Sequence, residues 1–169
     1  MKMKLALLAG SICISSAVLA GPSTTDVDFV TKATQAGMAE VAAGKVAEAN
    51  AQNASVKAFG KRMIADHSKA GDELKKVAEK SGITAPTSPS SEQQQTGKRL
   101  EGLKGAEFDK AYADQMVKDH EDAVTLFMNE ESSGSNADLK SFAKKTLPTL
   151  QEHLKMAKAL PGSTASTSQ

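Results

Sequence analysis

A five-residue pattern, Met-x-x-Asp-His, occurs twice in this sequence and combines residue types that bind metals. The first copy ends in Asp66 and His67, and the second ends in Asp119 and His120. Each copy lies in a stretch whose apolar residues recur with the 3.6-residue period of an amphipathic helix. The pattern therefore predicts that two different helices each carry a carboxylate beside an imidazole.

Two further helical stretches carry polar residues at matching positions. The third and last histidine, His153, follows Glu152 on the apolar stripe of the last predicted helix, and Glu40 is the charged residue on the alanine-rich stripe of the first. All of these positions lie near mid-helix, so they predict one polar layer at the waist of a helical bundle. The layer and its candidate metal ligands are Glu40, Asp66, His67, Asp119, His120, Glu152 and His153.

Each unpaired buried polar group costs ~2–7 kcal/mol, so the members of such a layer need partners. Two interpretations differ in what those partners are. One is a hydrogen-bonded network that fixes the helix register, with Asp66 and Asp119 either inside it or turned outward. The other is a metal site, since bundles hold iron, manganese or zinc with imidazole and carboxylate groups from separate helices. A methionine lies about one turn from each histidine. These methionines would favour copper if they were ligands, but methionine is also an ordinary core residue. They are Met63, Met116 and Met156.

Helix-forming residues dominate the composition. Aromatic residues make up 4% of the chain, which is too few for a typical β-sandwich or β-barrel. The apolar period predicts four long helices joined by two short connections and one long crossover. Their predicted ranges are 26–52, 55–80, 106–131 and 137–160.

The long crossover decides the predicted topology, because it can span the bundle and so allows the second and third helices to run parallel. A short extra helix at about 91–103 is predicted within it, opened by a capping box of Ser91 and Gln94. Pro148 predicts a kink in the last helix or a restart capped by Thr146. The sequence therefore predicts an all-α, ferritin-like four-helix bundle with a short extra helix in the crossover.

Residues 1–20 have the pattern of a secretory signal peptide. Two lysines precede an uncharged run that ends in small residues, which predicts cleavage after Ala20. The one cysteine, Cys13, lies in this run without the small residue that a lipoprotein signal needs before it. We therefore expect a soluble exported protein, most simply periplasmic, with a bundle domain at 21–160 and a disordered tail at 161–169.

Composition excludes several functions. Charge is nearly balanced, with 21 Lys+Arg against 20 Asp+Glu and no basic stripe, so nucleic acid is not an expected partner. A single cysteine excludes an internal disulfide and any multi-cysteine metal site. No second apolar span follows the predicted signal, so we expect no transmembrane segment after its cleavage.

Four stretches of the chain resemble an exported, ferritin-like bacterial family called domain of unknown function 4142, some of whose members are labelled outer membrane proteins. The resemblance covers about 28–160. It implies a ferritin-like bundle and raises association with the outer membrane, but it implies no activity because the family has none assigned. The matching stretches are 39–45, 56–67, 105–120 and 146–153.

The usual di-iron site of ferritin-like proteins is not expected here. That site needs Glu-x-x-His on two helices, whereas Ile64, Val117 and Leu150 stand three residues before the histidines. A mononuclear or labile site for a transition metal, such as iron, zinc or copper, fits the residues better.

The sequence lacks a nucleophile elbow and a phosphate-binding loop. It therefore favours a non-enzymatic exported protein of envelope or stress physiology, for which metal binding through the polar layer is one of the two interpretations given above. The alternatives are a metal-dependent redox enzyme of ferritin-like type and a metal-free module that binds an envelope protein partner. The oligomeric state is left open.

Overall fold

The structure, a computed structural model, describes residues 21–164. The predicted signal peptide at 1–20 and residues 165–169 of the predicted tail lie outside the described residues. Four long helices and a short one in the crossover confirm the predicted all-α architecture. They are α1 (Thr24–Asn50), α2 (Ala54–Lys80), α3 (Ser91–Glu101), α4 (Gly105–Ser133) and α5 (Ala137–Lys158). Within the described range, none of these helices has both the length and the hydropathy that a membrane span requires.

Two antiparallel hairpins, α1–α2 and α4–α5, pack side by side, with α1 against α4 and α2 against α5. The backbone amides of Gln52 and Asn53, just before α2, donate to the carboxylate of Asp109, near the start of α4, at 3.1 and 2.9 Å. Helices α2 and α4 therefore begin at the same end of the bundle and run parallel. This is the ferritin-like topology that the long crossover was predicted to allow.

The apolar core consists of two clusters. One contains Phe59, Phe108 and Tyr112, and we call it the lower core; the other contains Phe29 and Phe127, and we call it the upper core. On each long helix the lower and upper core residues are separated along the chain by a short interval. The predicted polar residues fall in these intervals, so the polar layer divides the core in two.

Helices α1 and α2 approach closely where Gly44 faces Gly60. A Cβ on Gly44 would lie 2.7 Å from the carbonyl oxygen of Gly60, so only glycine allows this backbone separation. Gly44 is one turn beyond Glu40. The close crossing therefore holds Glu40 against α2.

The capping box of α3 differs by one residue from the prediction. Ser90 Oγ accepts from the amide of Gln93 at 3.2 Å, and the Gln93 side chain accepts from the amide of Ser90 at 2.9 Å. Ser91 and Gln94 do not form the predicted box. Two consecutive serines and three consecutive glutamines occur here, so the spacing alone does not choose between the two registers.

Helix α5 passes through Pro148 without the predicted restart. It is capped by Asn136 and runs unbroken from Ala137 to Lys158, so Thr146 is an interior residue and not a cap. A proline removes one backbone hydrogen bond. Buried side chains before and after it, Phe142, Ala143, Leu150 and His153, keep the helix packed on its neighbours.

The first part of the predicted tail is ordered. Ser163 is 2% exposed, and Thr164 donates from its amide and hydroxyl to Asp114 at 2.8 and 2.9 Å. Residues 161–164 thus pack on α4, in contrast to the disorder predicted from their composition, because α4 supplies an acceptor that the composition does not reveal.

Asp26 fastens the upper end of the bundle. Its fully buried carboxylate caps α1 with Ser23 and accepts from the backbone amides of Ser135 and Asn136, which lead into α5, at 2.9 and 3.1 Å. Burial alone would raise the pKa of Asp26, but the hydrogen bonds from Ser135 and Ser23 hold it well below its usual range. The carboxylate therefore joins α1 to the α4–α5 loop.

We expect Asp26→Asn to lower the free energy of unfolding by about 1.5–3 kcal/mol, because an uncharged amide replaces an acceptor of charge-assisted hydrogen bonds. Urea unfolding at neutral pH measures this. The matched control is Asp28→Asn, two residues further along α1 in an exposed ion pair with Lys32, which should cost at most about 0.5 kcal/mol. Equal losses in the two variants would contradict the fastening role of Asp26.

Candidate metal centre

Three imidazoles from three helices meet at the waist of the bundle: His67 of α2, His120 of α4 and His153 of α5. Their ring centroids are 5.3 to 5.7 Å apart. One ring nitrogen of each lies within 4.8 Å of a ring nitrogen of each of the others. His120 and His153 are almost fully buried, and the side chain of His67 is 10% exposed. The cluster is therefore a compact, nearly dry set of nitrogen donors.

Two of these rings are fixed by a hydrogen bond from one nitrogen. Nδ1 of His120 lies 2.9 Å from the carbonyl oxygen of Met116, which can only accept, so Nδ1 carries the proton. Nε2 of His153 lies 2.8 Å from Oδ2 of Asp66. Metal-bound histidines commonly donate their second nitrogen to a carbonyl or a carboxylate in this way, which leaves the first nitrogen free to bind.

The remaining nitrogens have no hydrogen-bond partner of normal geometry. They are Nε2 of His67, Nε2 of His120 and Nδ1 of His153, and all three are buried. A buried polar atom without a partner costs about 1–3 kcal/mol. The layer is thus not a self-sufficient hydrogen-bonded network. A metal ion bound at about 2.0–2.1 Å from each nitrogen would supply the missing partner, after a small inward movement of the rings.

Glu40 supplies a buried negative charge beside the three rings. It is 2% exposed, and its Oε2 lies 2.5 Å from Nε2 of His67, close enough for an ion pair although not aligned as a hydrogen bond. Its Oε1 lies 3.8 Å from Nδ1 of His120. Burial alone would raise the pKa of Glu40, but the neighbouring imidazoles, His67 first, lower it to about 2. Glu40 is therefore ionised and able to act as a fourth, oxygen ligand.

The histidines differ in their protonation. Burial alone would lower the pKa of His67, but the charge of Glu40 outweighs burial and raises it. Burial lowers the pKa of His153 to about 4, although the hydrogen bond that His153 donates to Asp66 acts in the opposite direction. The metal-free site therefore holds one anion, Glu40, opposite a His67 that binds its proton more tightly than an ordinary histidine, with His153 neutral.

Asp66 and Glu152 lie outside the imidazole cluster. Asp66 orients His153 and is itself held by Nε of Arg62 at 3.2 Å. Glu152 binds the same guanidinium at 3.1 Å, but its side chain is 56% exposed. The prediction of Glu152 as a buried layer member is therefore wrong. Its side chain points about 100° away from that of His153, because the two residues are adjacent on the helix.

Asp119 is also turned away from the cluster. Its Oδ1 accepts from the side-chain amide of Gln115 at 2.9 Å, and burial raises its pKa to about 6. Of the predicted methionines, Met116 contributes its carbonyl, and the thioether of Met156 accepts from Arg62 at 3.2 Å. Met63 is a lower-core residue. The geometry thus gives the predicted thioether ligands other roles.

Sequence reasoning missed two supporting residues. Arg62 joins Asp66 to Glu152, and its position four residues before Asp66 on one helix was the available indication. The ring of Phe59, a lower-core residue, meets those of His120 and His153 edge-on, with centroids 6.3 Å apart, so it packs the lower core directly against the layer. Nothing in the apolar period distinguishes Phe59 from other core residues.

Fold and site together define a ferritin-like helical bundle with a candidate three-histidine metal centre. A family model matches residues 14–160, so the chain belongs to the family described as Domain of unknown function (DUF4142), as the resemblance predicted. No curated protein matches it significantly. None of these findings supports the label outer membrane protein.

Several solved structures have the same fold. A DUF305 fragment from Deinococcus radiodurans is 11% identical, with a TM-score of 0.71 over 83% of this chain and 97% of that chain. CopM in the Cu(I)-bound form is 17% identical, with a TM-score of 0.67 over 81% and 95%. A DUF305 protein from Streptomyces coelicolor is 10% identical, with a TM-score of 0.68 over 80% of this chain and 89% of that chain. At these identities the likeness shows the fold alone.

In metal-free protein we expect His67 to titrate above pH 6.5 and His153 near pH 4, as followed by NMR of the imidazole carbons. Glu40→Gln should lower the pKa of His67, because the charge that favours its protonated form is removed. Glu152→Gln is the control and should leave His67 unchanged, since Glu152 faces solvent. An unchanged His67 in Glu40→Gln would contradict the ion pair.

Proposed function

We propose that this protein is an exported bundle protein that binds one transition-metal ion through His67, His120 and His153, with Glu40 as the charge partner and fourth ligand. The observations that carry the proposal are the three imidazoles whose ring nitrogens lie within 4.8 Å of one another, and the lack of any partner for Nε2 of His120 and Nδ1 of His153. A bound ion gives these nitrogens a partner, whereas the alternative of a purely structural network pairs His67 with Glu40 and leaves the nitrogens of His120 and His153 unpaired.

Copper is the first candidate ion, and zinc and iron follow. Imidazole binds all three metals. The site contains no cysteine thiolate, so the ligand types do not select one metal over the others. The fold it shares with CopM, whose structure holds Cu(I), supports testing copper first. The role we propose is binding and transfer or buffering of the ion, because the chain lacks the paired Glu-x-x-His motifs of oxygen-activating di-iron bundles.

Export to the periplasm is part of this proposal and rests on the sequence of residues 1–20. A periplasmic extract that contains the protein with an intact mass beginning at Gly21 would support it. Turnover of peroxide or oxygen by the metal-loaded protein would favour the redox enzyme instead. Capture of an envelope protein by the metal-free form would favour the partner-binding module.

The protein purified without an affinity tag should bind one ion per chain, as measured by elemental analysis and by competition with a chromophoric chelator. His67→Ala, His120→Ala and His153→Ala should each weaken binding at least 100-fold, because each removes one ligand. Added metal should raise the melting temperature of the wild type but not of these variants. Equal melting shifts in the wild type and in His120→Ala would overturn the metal site and leave the structural network.

Two further variants test the assignment of roles around the site. Asp66→Asn should weaken binding about 10–100-fold, because His153 loses the carboxylate that orients it. Glu152→Gln, which changes the neighbouring partner of the same arginine, should leave the affinity within about twofold. A large loss in Glu152→Gln would show that the ligand set is wrong, whatever the histidine variants do.

A further inference from the structure

One side of the histidine layer opens into a cleft between α1, α2, α5 and the loop at 82–87. Its volume is about 870 Å³, which lies within the range of ~300–1,000 Å³ for small-molecule sites. The inner end of the cleft reaches Glu40, His67 and His153, and the walls above them belong to the upper core. The cleft therefore connects solvent with the candidate metal centre.

Small residues on two helices hollow out this cleft. Ala33 and Gly37 line it from α1, and Ala70 and Gly71 line it from α2. A Cβ on Gly37 or Gly71 would meet no atom within 4 Å, so the glycines are not required by close helix packing there. This contrasts with Gly44, where a Cβ would clash with α2. The remaining lining is largely apolar and includes Leu74, Ile83, Phe127, Phe142 and Leu150.

The polar end of the cleft sets the chemistry of the molecule that fits. His67 is the histidine of the cluster with an exposed fraction, and its Nε2 has no aligned hydrogen-bond partner. The negative charge of Glu40 is already opposed by His67, so this end does not call for a multiply charged ligand. A molecule that fits this cleft has an apolar body and one nitrogen or oxygen atom with a lone pair.

We propose that the cleft binds a small, largely apolar molecule, of the size of one or two aromatic rings, with a single donor atom directed at the His67 end. We also propose that this donor atom becomes a ligand of the bound ion, and this second step rests on the proposed function. With three nitrogens and Glu40 as the protein ligands, the added donor takes a fifth position or replaces the Glu40 carboxylate, and the cleft is the side from which it reaches the ion.

A pair of probes that differ only in an apolar ring tests the proposal. Imidazole and 4-phenylimidazole are titrated into the Co(II)-loaded full chain, and the visible absorption of Co(II) reports ligation. We expect 4-phenylimidazole to bind at least tenfold more tightly, because its phenyl ring is buried against the apolar walls. Equal affinities for the two probes would overturn the proposal.

Two variants fill the cleft without touching a metal ligand. Gly37→Leu and Gly71→Leu should remove most of the preference for 4-phenylimidazole, while the Co(II) spectrum and the affinity for imidazole stay unchanged. Gly97→Leu on α3 is the matched control, because a Cβ there also meets no atom within 4 Å but lies outside this cleft. A preference that survives both cleft variants would contradict the proposed location.

The metal-free protein separates this proposal from the metal site. Adding 4-phenylimidazole should shift the NMR signals of the methyl groups of Ala33, Ala70 and Leu150, and leave those of Leu100 and Ala113 in the lower core in place. If Co(II) does not bind but the cleft methyls shift, the proposed function fails and the cleft site stands. If the cleft methyls do not shift, the cleft proposal is overturned whether or not metal binds.

Discussion

The contact between Glu40 and His67 is the interaction on which the waist of this bundle depends. A carboxylate that is 2% exposed requires positive charge close by, and His67 of the adjacent helix supplies it at 2.5 Å. The glycine crossing of α1 and α2 holds the two helices at the separation that this contact needs. With α1 and α2 fixed in this way, His120 and His153 of the second hairpin complete the layer.

The polar layer divides the bundle into halves with different properties. The lower half is closed by stacked and edge-on aromatic rings such as Phe108, Tyr112 and Phe59. The upper half contains the cleft and a buried Glu130 whose carboxylate oxygens lack partners, and burial together with the charge of Asp26 raises the pKa of Glu130 to about 7. The cleft and the unpaired Glu130 therefore lie in the same half, where Asp26 attaches α1 to the α4–α5 loop.

The helices, their parallel crossover and the depth of the polar layer could be predicted from the sequence, because periodicity and chain length determine them. The members of the layer could be predicted only in part. Adjacent residues such as Asp66 and His67 are both near the core stripe, and which one turns inward depends on the neighbouring helix. Asp119 and Glu152 turn toward Gln115 and Arg62, and neither partner is specified by the apolar period.

The distribution of the histidines links metal binding to the arrangement of the two hairpins. His67 belongs to the α1–α2 hairpin, and His120 and His153 belong to the α4–α5 hairpin, so an ion held by all three joins the hairpins at mid-height. The contacts within each hairpin are more extensive than the contacts between the two hairpins. We therefore expect an added interaction between the hairpins to contribute more to their association than one within a hairpin. The unpartnered nitrogens lower the stability of the metal-free form at the same junction. If the ion binds as proposed, it removes this cost and joins the hairpins, so we expect the stability of their arrangement to depend on the ion.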